Sequence, residues 1–240
     1  MIFLEDFKVT INFDKVVAID GPSGSGKSSI AKAIAKEFGF LYVDTGAMYR
    51  ALGYYLDTKH ITLKPSIELN RALKDLKFCY GESETVQIRL DGVDLTQKIR
   101  EHKVSELASL VSQIKQVRDY LTKIQRELVL KKICVMEGRD IGTVVFPRSF
   151  CKIFLTASVR VRALRRFNQL KDMNKLDTSL EKILEDIELR DERDISRSES
   201  PLVQAPDAEL LNTSDLKFEE VIEAVKDIII KKAKLQNLSI

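Results

Sequence analysis

Gly21-Pro22-Ser23-Gly24-Ser25-Gly26-Lys27-Ser28 is the stretch from which the fold can be read. It matches G-x-x-x-x-G-K-[ST] and follows a short apolar run, Val16 to Ile19, that ends in Asp20. It opens a helix-like stretch from Lys27 to Phe38 with Ile30, Ala33, Ile34 and Phe38 on one face. Strand, loop and helix in that order are the context such a loop requires. Glycines let the backbone curl so that successive N–H groups point at phosphate oxygens, and the helix N-terminus adds partial positive charge. A nucleoside triphosphate is therefore the expected ligand, held by Gly21, Pro22, Ser23, Gly24, Ser25, Gly26, Lys27, Ser28 and the adjoining Ser29. Lys27 is expected to reach the β- and γ-phosphates, and the Ser28 hydroxyl to ligate Mg²⁺, the one cofactor expected.

Outward from the loop, Phe40 to Val43, Ile133 to Met136, Ile153 to Leu155 and Leu210 to Leu211 are further apolar runs separated by helical patterns. Such alternation predicts an α/β fold of three layers, a central parallel five-stranded sheet flanked by helices. Residues 64–103 break the rhythm: Val86, Ile88 and Leu90 alternate with polar residues and run into Asp91-Gly92, a tight-turn pair, before Val93 and Leu95. This region is expected to be a small antiparallel insert. Helical periodicity returns from Val104 to Leu130 and again from Phe218 to Ile229. The expectation is one domain over 1–240, with the core in 14–63 and 104–240.

Composition sets bounds. The chain has 240 residues, is 44% hydrophobic and 31% charged, and falls in the ordinary globular range. Its 39 basic and 36 acidic residues leave a net charge of +3, too mild to argue for nucleic acid as a partner. Cys79, Cys134 and Cys151 are an odd, widely spaced set that suits buried thiols in a reducing compartment better than a disulfide or metal framework. Met1-Ile2-Phe3-Leu4 runs at once into Glu5 and Asp6, and no apolar stretch approaches the ~18 residues of a membrane span. A cytoplasmic protein with no membrane partner is expected.

A phosphate loop alone names no reaction, because GTPases, ATPases and small-molecule kinases share it. Asn174-Lys175-Leu176-Asp177 fits the N-K-x-D pattern of GTPases, but it follows an arginine-rich helical segment and not an apolar strand. Nowhere is an Asp followed by Gly three positions later, so the γ-phosphate-sensing switch of GTPases is missing. Instead, Asp44-Thr45-Gly46-Ala47-Met48-Tyr49-Arg50 follows the second strand, and Glu137-Gly138-Arg139-Asp140-Ile141-Gly142-Thr143-Val144-Val145-Phe146-Pro147 follows the third. Both stand at the sheet edge from which the phosphate loop projects, where open parallel sheets bind ligands. Arg50, Arg139 and Asp140 are thus candidates for a second ligand. On a helix beginning near Thr178, with Thr178-Ser179-Leu180-Glu181 as a capping box, Leu180, Ile183, Leu184 and Ile187 make the buried stripe. Arg190, Asp194 and Arg197 continue it toward the cleft, and Arg193 points elsewhere.

In this order, these segments with Arg190-Asp191-Glu192-Arg193-Asp194, Ser200-Pro201-Leu202, Ala205-Pro206-Asp207-Ala208 and Leu211-Asn212-Thr213-Ser214 resemble the bacterial cytidylate kinases, over about Val16 to Val225. The resemblance implies a nucleoside monophosphate kinase fold, with 64–103 as the NMP-binding insert and about 157–177 as a helical lid. It implies γ-phosphate transfer from ATP to CMP or dCMP, and a monomer is expected. Thr45, Arg50, Arg139 and Arg197 would surround the CMP phosphate, Arg190 and Asp194 the ribose, and Ser109, Arg118 and Asp140 the cytosine. Lys27, Arg139 and a lid arginine, Arg162, would carry the charge of transfer, with Arg160, Arg165 and Arg166 as further lid candidates. Three departures stand out: Thr45 where serine is frequent, Glu137 where aspartate is common, and no proline between Ser109 and Arg118. Rival readings are a UMP/CMP-type or shikimate-type kinase and, from another class, a GTPase.

Overall fold

Burial on both sides marks the centre of the sheet. In β1 (Asp14–Asp20), Val16, Val17, Ala18 and Ile19 are all fully inaccessible, which is why the run is continuously apolar and does not alternate. The computed structural model describes residues 13–82, 86–100, 102–129, 132–172 and 178–240. The N-terminal Met1 to Asp6 stretch, Leu130 and the Asn174–Asp177 pattern lie outside the described residues, as does the last part of the expected lid, 173–177.

After β1 come α1 (Lys27–Phe38), β2 (Leu41–Asp44) and α2 (Thr45–Thr58). The insert region holds α3 (Ile67–Asp75), β3 (Phe78–Glu82), β4 (Val86–Leu90) and β5 (Val93–Asp94). Then follow α4 (His102–Val111), α5 (Lys115–Leu128), β6 (Cys134–Gly138), a single π-helical turn (Ile141–Val145) and β7 (Ser149–Thr156). The chain continues through α6 (Val159–Asp172), α7 (Leu180–Ser196), β8 (Glu209–Asn212) and α8 (Phe218–Leu235).

The five-stranded sheet has order β2-β6-β1-β7-β8, and its recorded pairings are all parallel. One face packs Val17 and Ile19 of β1 against Ile30 and Ile34 of α1 and Val225 and Ile229 of α8. The other packs Val16 and Ala18 against Met48 and Leu52 of α2 and Val117 and Leu121 of α5. Three layers therefore form as the alternation of strands and helices predicts. Ile88 and Leu90 of β4 join this second core, so the insert is anchored on α2.

The insert differs in detail from the expected hairpin. Asp91 and Gly92 do make the tight turn, with φ of 48° and 80° as a two-residue hairpin turn needs. A third strand, β3, pairs antiparallel with β4. Its Tyr80 hydroxyl accepts from the Asp44 amide at 2.9 Å, clipping the insert to the end of β2.

Two helix readings need correction. The periodic stretch from Val104 is two helices, broken at Ser112–Ile114 without a proline. The Ser112 hydroxyl donates to the Ser109 carbonyl at 2.9 Å, and Ile114 takes extended backbone angles before α5 begins. In α7 the N-cap is Ser179, accepting from the Lys182 amide, one residue later than the expected capping box placed it.

Candidate active site

The segments that follow β1, β2, β6 and β8 at the C-terminal edge of the parallel sheet open on one cleft of about 1670 Å³. That exceeds the ~300–1,000 Å³ of a usual small-molecule pocket and suits two nucleotides side by side. Ser23 to Ser29 line one part, Thr45 and Arg50 another, and Arg139, Asp140, Arg190, Asp194 and Arg197 a third. Ser109 and Arg118 from the α4–α5 region close the far end. The cleft thus brings together the candidate site residues that the sequence singles out, apart from Arg160, Arg162 and the first two of the loop.

The phosphate loop hugs the neighbouring strand. Gly21 has φ 150°, and a Cβ there would lie 2.0 Å from the Leu155 carbonyl oxygen, so only glycine allows this approach. Lys27, buried, donates to the Pro22 carbonyl at 2.6 Å and to Ser25 Oγ at 3.2 Å. Burial, and then the Arg139 charge, lower its pKa.

Glu137 at the end of β6 and Asp20 are the carboxylates whose charges act on this cation. The Glu137 side chain hydrogen-bonds Ser28 and accepts from the Tyr42 hydroxyl at 2.7 Å. Burial, and then Asp44, raise its pKa. Among the described residues no three His, Cys, Asp or Glu side chains gather to cage a metal. Hard oxygen donors do meet at Ser28 and Glu137, which fits Mg²⁺, an ion that keeps most of its waters and takes few protein ligands.

The second-ligand side is built from arginines held by carboxylates. Thr45 donates from Oγ1 to the Glu137 carbonyl at 2.6 Å, and Arg50 pairs with Asp44 at 3.1 Å. Asp44 also caps α2, accepting from the Ala47 amide. Arg139 donates to Asp194 at 2.9 Å, and Arg197 lies 4.0 Å from the same carboxylate. Burial alone would push Asp194 up, but Arg139, Arg190 and Arg197 together hold it below the usual carboxylate range. Arg190 is lowered to about 10, by burial and then by Arg139. Arg190 Nε and Arg197 Nη2 are buried with no hydrogen-bond partner among the described residues, on side chains that line the cleft. Such donors match an anion.

Arg118 and Asp140, both about 5% exposed, form a buried ion pair. Arg118 also donates to Ser200 Oγ and the Ser112 carbonyl, and its guanidinium lies 5.6 Å from the Tyr49 ring centre. Arg118 stands in the first turn of α5, and its bond to the Ser112 carbonyl ties it to the break between α4 and α5.

The arginines of α6 divide differently from expectation. Arg162 is buried and donates to the Ser23 and Ala157 carbonyls, with Asp191 as its ion-pair partner at 2.6 Å. It braces the phosphate loop from behind and does not line the cleft. The resemblance implies a lid arginine that carries charge of transfer; here the Arg162 guanidinium is buried against the Ser23 and Ala157 carbonyls and Asp191. Arg165 and Arg166 do line the cleft, Arg165 fixed to Thr213 and Arg166 to Gln169, while Arg160 is exposed outside it.

Asp20, Asp191, Tyr42 and Tyr80 escaped the sequence reading as site residues. Asp20 accepts from the Ile141 and Gly142 amides, and burial raises it to about 6. Only its place directly before the phosphate loop could have flagged it.

The chain is similar to known proteins over most of its length. The family model for cytidylate kinase matches residues 17–231. A cytidylate kinase of Lactiplantibacillus plantarum is 44% identical over 218 residues, covering 90% of this chain and 95% of the relative. One of Thermodesulfovibrio yellowstonii is 45% identical over 216 residues, covering 88% and 96%. One of Fusobacterium nucleatum is 43% identical over 216 residues, covering 90% and 97%.

Proposed function

The chain belongs to the cytidylate kinase family, and from that membership we infer that it transfers the γ-phosphate of ATP to CMP, giving ADP and CDP. One observation carries the choice of acceptor: the buried Arg118–Asp140 pair at the far end of a cleft whose near end is a phosphate loop. Cytosine offers an amine donor beside a ring-nitrogen acceptor, where uracil offers a carbonyl and an N–H. A carboxylate accepts from the amine and repels the carbonyl, and a guanidinium can only donate, so both groups favour cytosine. Shikimate has no base to engage them.

In this reading Lys27 and the loop amides hold the ATP phosphates, and Arg50, Arg139, Arg197 and Thr45 hold the CMP phosphate. Arg190 and Asp194 meet the ribose, with Ser109 beside the base. The acceptor oxygen is already largely ionised near neutral pH, so no general base is needed. Alignment of donor and acceptor, with arginines neutralising the charge that passes between them, lowers the barrier. Ser28, with Glu137 beside it, would hold Mg²⁺, which supplies further neutralisation of phosphate charge when bound. Residues 64–103 act as the acceptor-binding insert and about 157–177 as the lid, with Arg165 and Arg166 as its cleft-facing cations. Arg162 assists through the loop it braces.

We extend the acceptor range to dCMP, because Asp194 is already engaged by Arg139 and so depends less on a 2′-hydroxyl. The site is complete within one chain, which suits a monomer. The exposed Cys79 would stay a thiol in the cytoplasm, where we place the activity. The test is ADP release measured with CMP, dCMP, UMP, AMP and shikimate. Turnover with CMP and dCMP well above the others is expected. Activity with shikimate alone, or none with any of these acceptors, would overturn the reading.

A further inference from the structure

The π-turn Ile141–Val145 begins at Asp140, the residue placed against the base. The first amides of any helical turn lack partners within it, and an aspartate at the cap position usually supplies them with its own carboxylate. Asp140 does not: its side chain makes no cap hydrogen bond and pairs instead with Arg118. The two amides are taken by Asp20, whose Oδ1 accepts from Ile141 at 2.9 Å and Oδ2 from Gly142 at 2.8 Å.

Asp20 ends β1 immediately before Gly21, and in the sheet register it sits opposite Gly138, the residue before Arg139. It is only 6% exposed. A buried carboxylate is costly to keep unless its hydrogen bonds are needed. Asparagine, of the same shape, would offer one acceptor oxygen where two amides require two.

We propose that Asp20 is a positioning residue for acceptor selection: by capping the turn in place of Asp140, it frees the Asp140 carboxylate for Arg118 and the base, and ties that turn to the phosphate loop. Without the Asp20 carboxylate, the unsatisfied amides compete with Arg118 for Asp140, which swings back onto its own turn. The base-reading end loosens while the phosphate loop keeps its Lys27 and glycine geometry.

The inference rests on the reading of Asp140 as a base contact, and the experiment separates the two. Asp20→Asn, Asp140→Ala and the double variant are compared for kcat/KM with CMP and UMP, and for ATP affinity by calorimetry. Asp20→Asn is expected to cut the preference for CMP over UMP about tenfold or more while ATP affinity stays within about threefold. Adding Asp20→Asn to Asp140→Ala is expected to change the preference less than about twofold, because the group through which it acts is gone. Asp20→Ala, which removes both acceptors, should give a larger effect, and it serves if the asparagine variant does not fold. Parallel loss of ATP and CMP affinity overturns the proposal, since that is what a purely structural carboxylate would give. A preference kept in Asp20→Asn but lost in Asp140→Ala overturns it alone. A preference kept in Asp140→Ala overturns both readings.

Discussion

Asp194→Asn removes one charge and almost no volume from the arginine cluster, and the consequence can be worked out from the contacts. In the native protein the Asp194 carboxylate is 8% exposed and accepts from Arg139 at 2.9 Å, with Arg197 at 4.0 Å and Arg190 nearby. Breaking a buried ion pair from one side costs about 3–5 kcal/mol, because the surviving charge is left without compensation. Arg139 is 19% exposed on the cleft, so water recovers part of that, and we expect about 3 kcal/mol. For a chain of this length the loss corresponds to a fall in Tm of about 6–12 °C. The assay is urea and thermal unfolding of both proteins without ligand, from pH 3 to pH 8. The sign with pH follows from the direction of the shift. The native pKa of Asp194 is depressed, so its contribution is fully present above the ordinary value of 3.8 and is lost as pH falls through the native value. The gap between the two proteins should therefore be widest near neutrality and close in acid. A loss below about 1 kcal/mol at pH 7, or a gap that widens toward acid, would refute the idea that Asp194 is what holds these arginines together.

Three further outcomes are expected. Gly21→Ala forces a methyl group to within 2.0 Å of the Leu155 carbonyl oxygen, and displacing the loop should weaken ATP binding, measured by calorimetry, by about a hundredfold or more. Asp20 has a native pKa raised to about 6, so its ionisation costs stability progressively as pH rises from 3.8 through 6, by about 3 kcal/mol in total. The stability of Asp20→Asn relative to the native protein should accordingly improve from pH 4 to pH 7, and a flat difference would count against the burial of that charge. Tyr80→Phe leaves the Asp44 amide unpartnered by the insert at a cost of about 1 kcal/mol, which should raise KM for CMP about fivefold with kcat little changed.

What could be read from the sequence was what is local. The phosphate loop declares itself because eight consecutive residues carry its geometry, and the sheet because each strand is short, apolar and followed by a punctuated loop. Partnerships across long separations were hidden. Arg118 and Asp140 are 22 residues apart and Arg139 and Asp194 are 55 apart, and only the fold brings each pair together. Nothing local separates Arg162, expected as the charge-carrying lid arginine, from its neighbours Arg165 and Arg166, because an arginine in a charged helix is ordinarily solvated and its burial against Ser23 depends on how α6 packs on the loop. The break between α4 and α5 lacked its usual signal, since a serine side chain, not a proline, ends the helix there. β3 was missed because Gly81 interrupts a run too short to show alternation.

The account stands most directly on the ratio of kcat/KM for CMP to that for UMP, measured in the native protein and in Asp140→Ala, with ATP affinity followed in parallel. It predicts a strong native preference for CMP that collapses in the variant while ATP binding is retained, since a buried polar reader left unpaired can carry discrimination on the order of 10⁴. An unchanged preference for CMP in Asp140→Ala would contradict it.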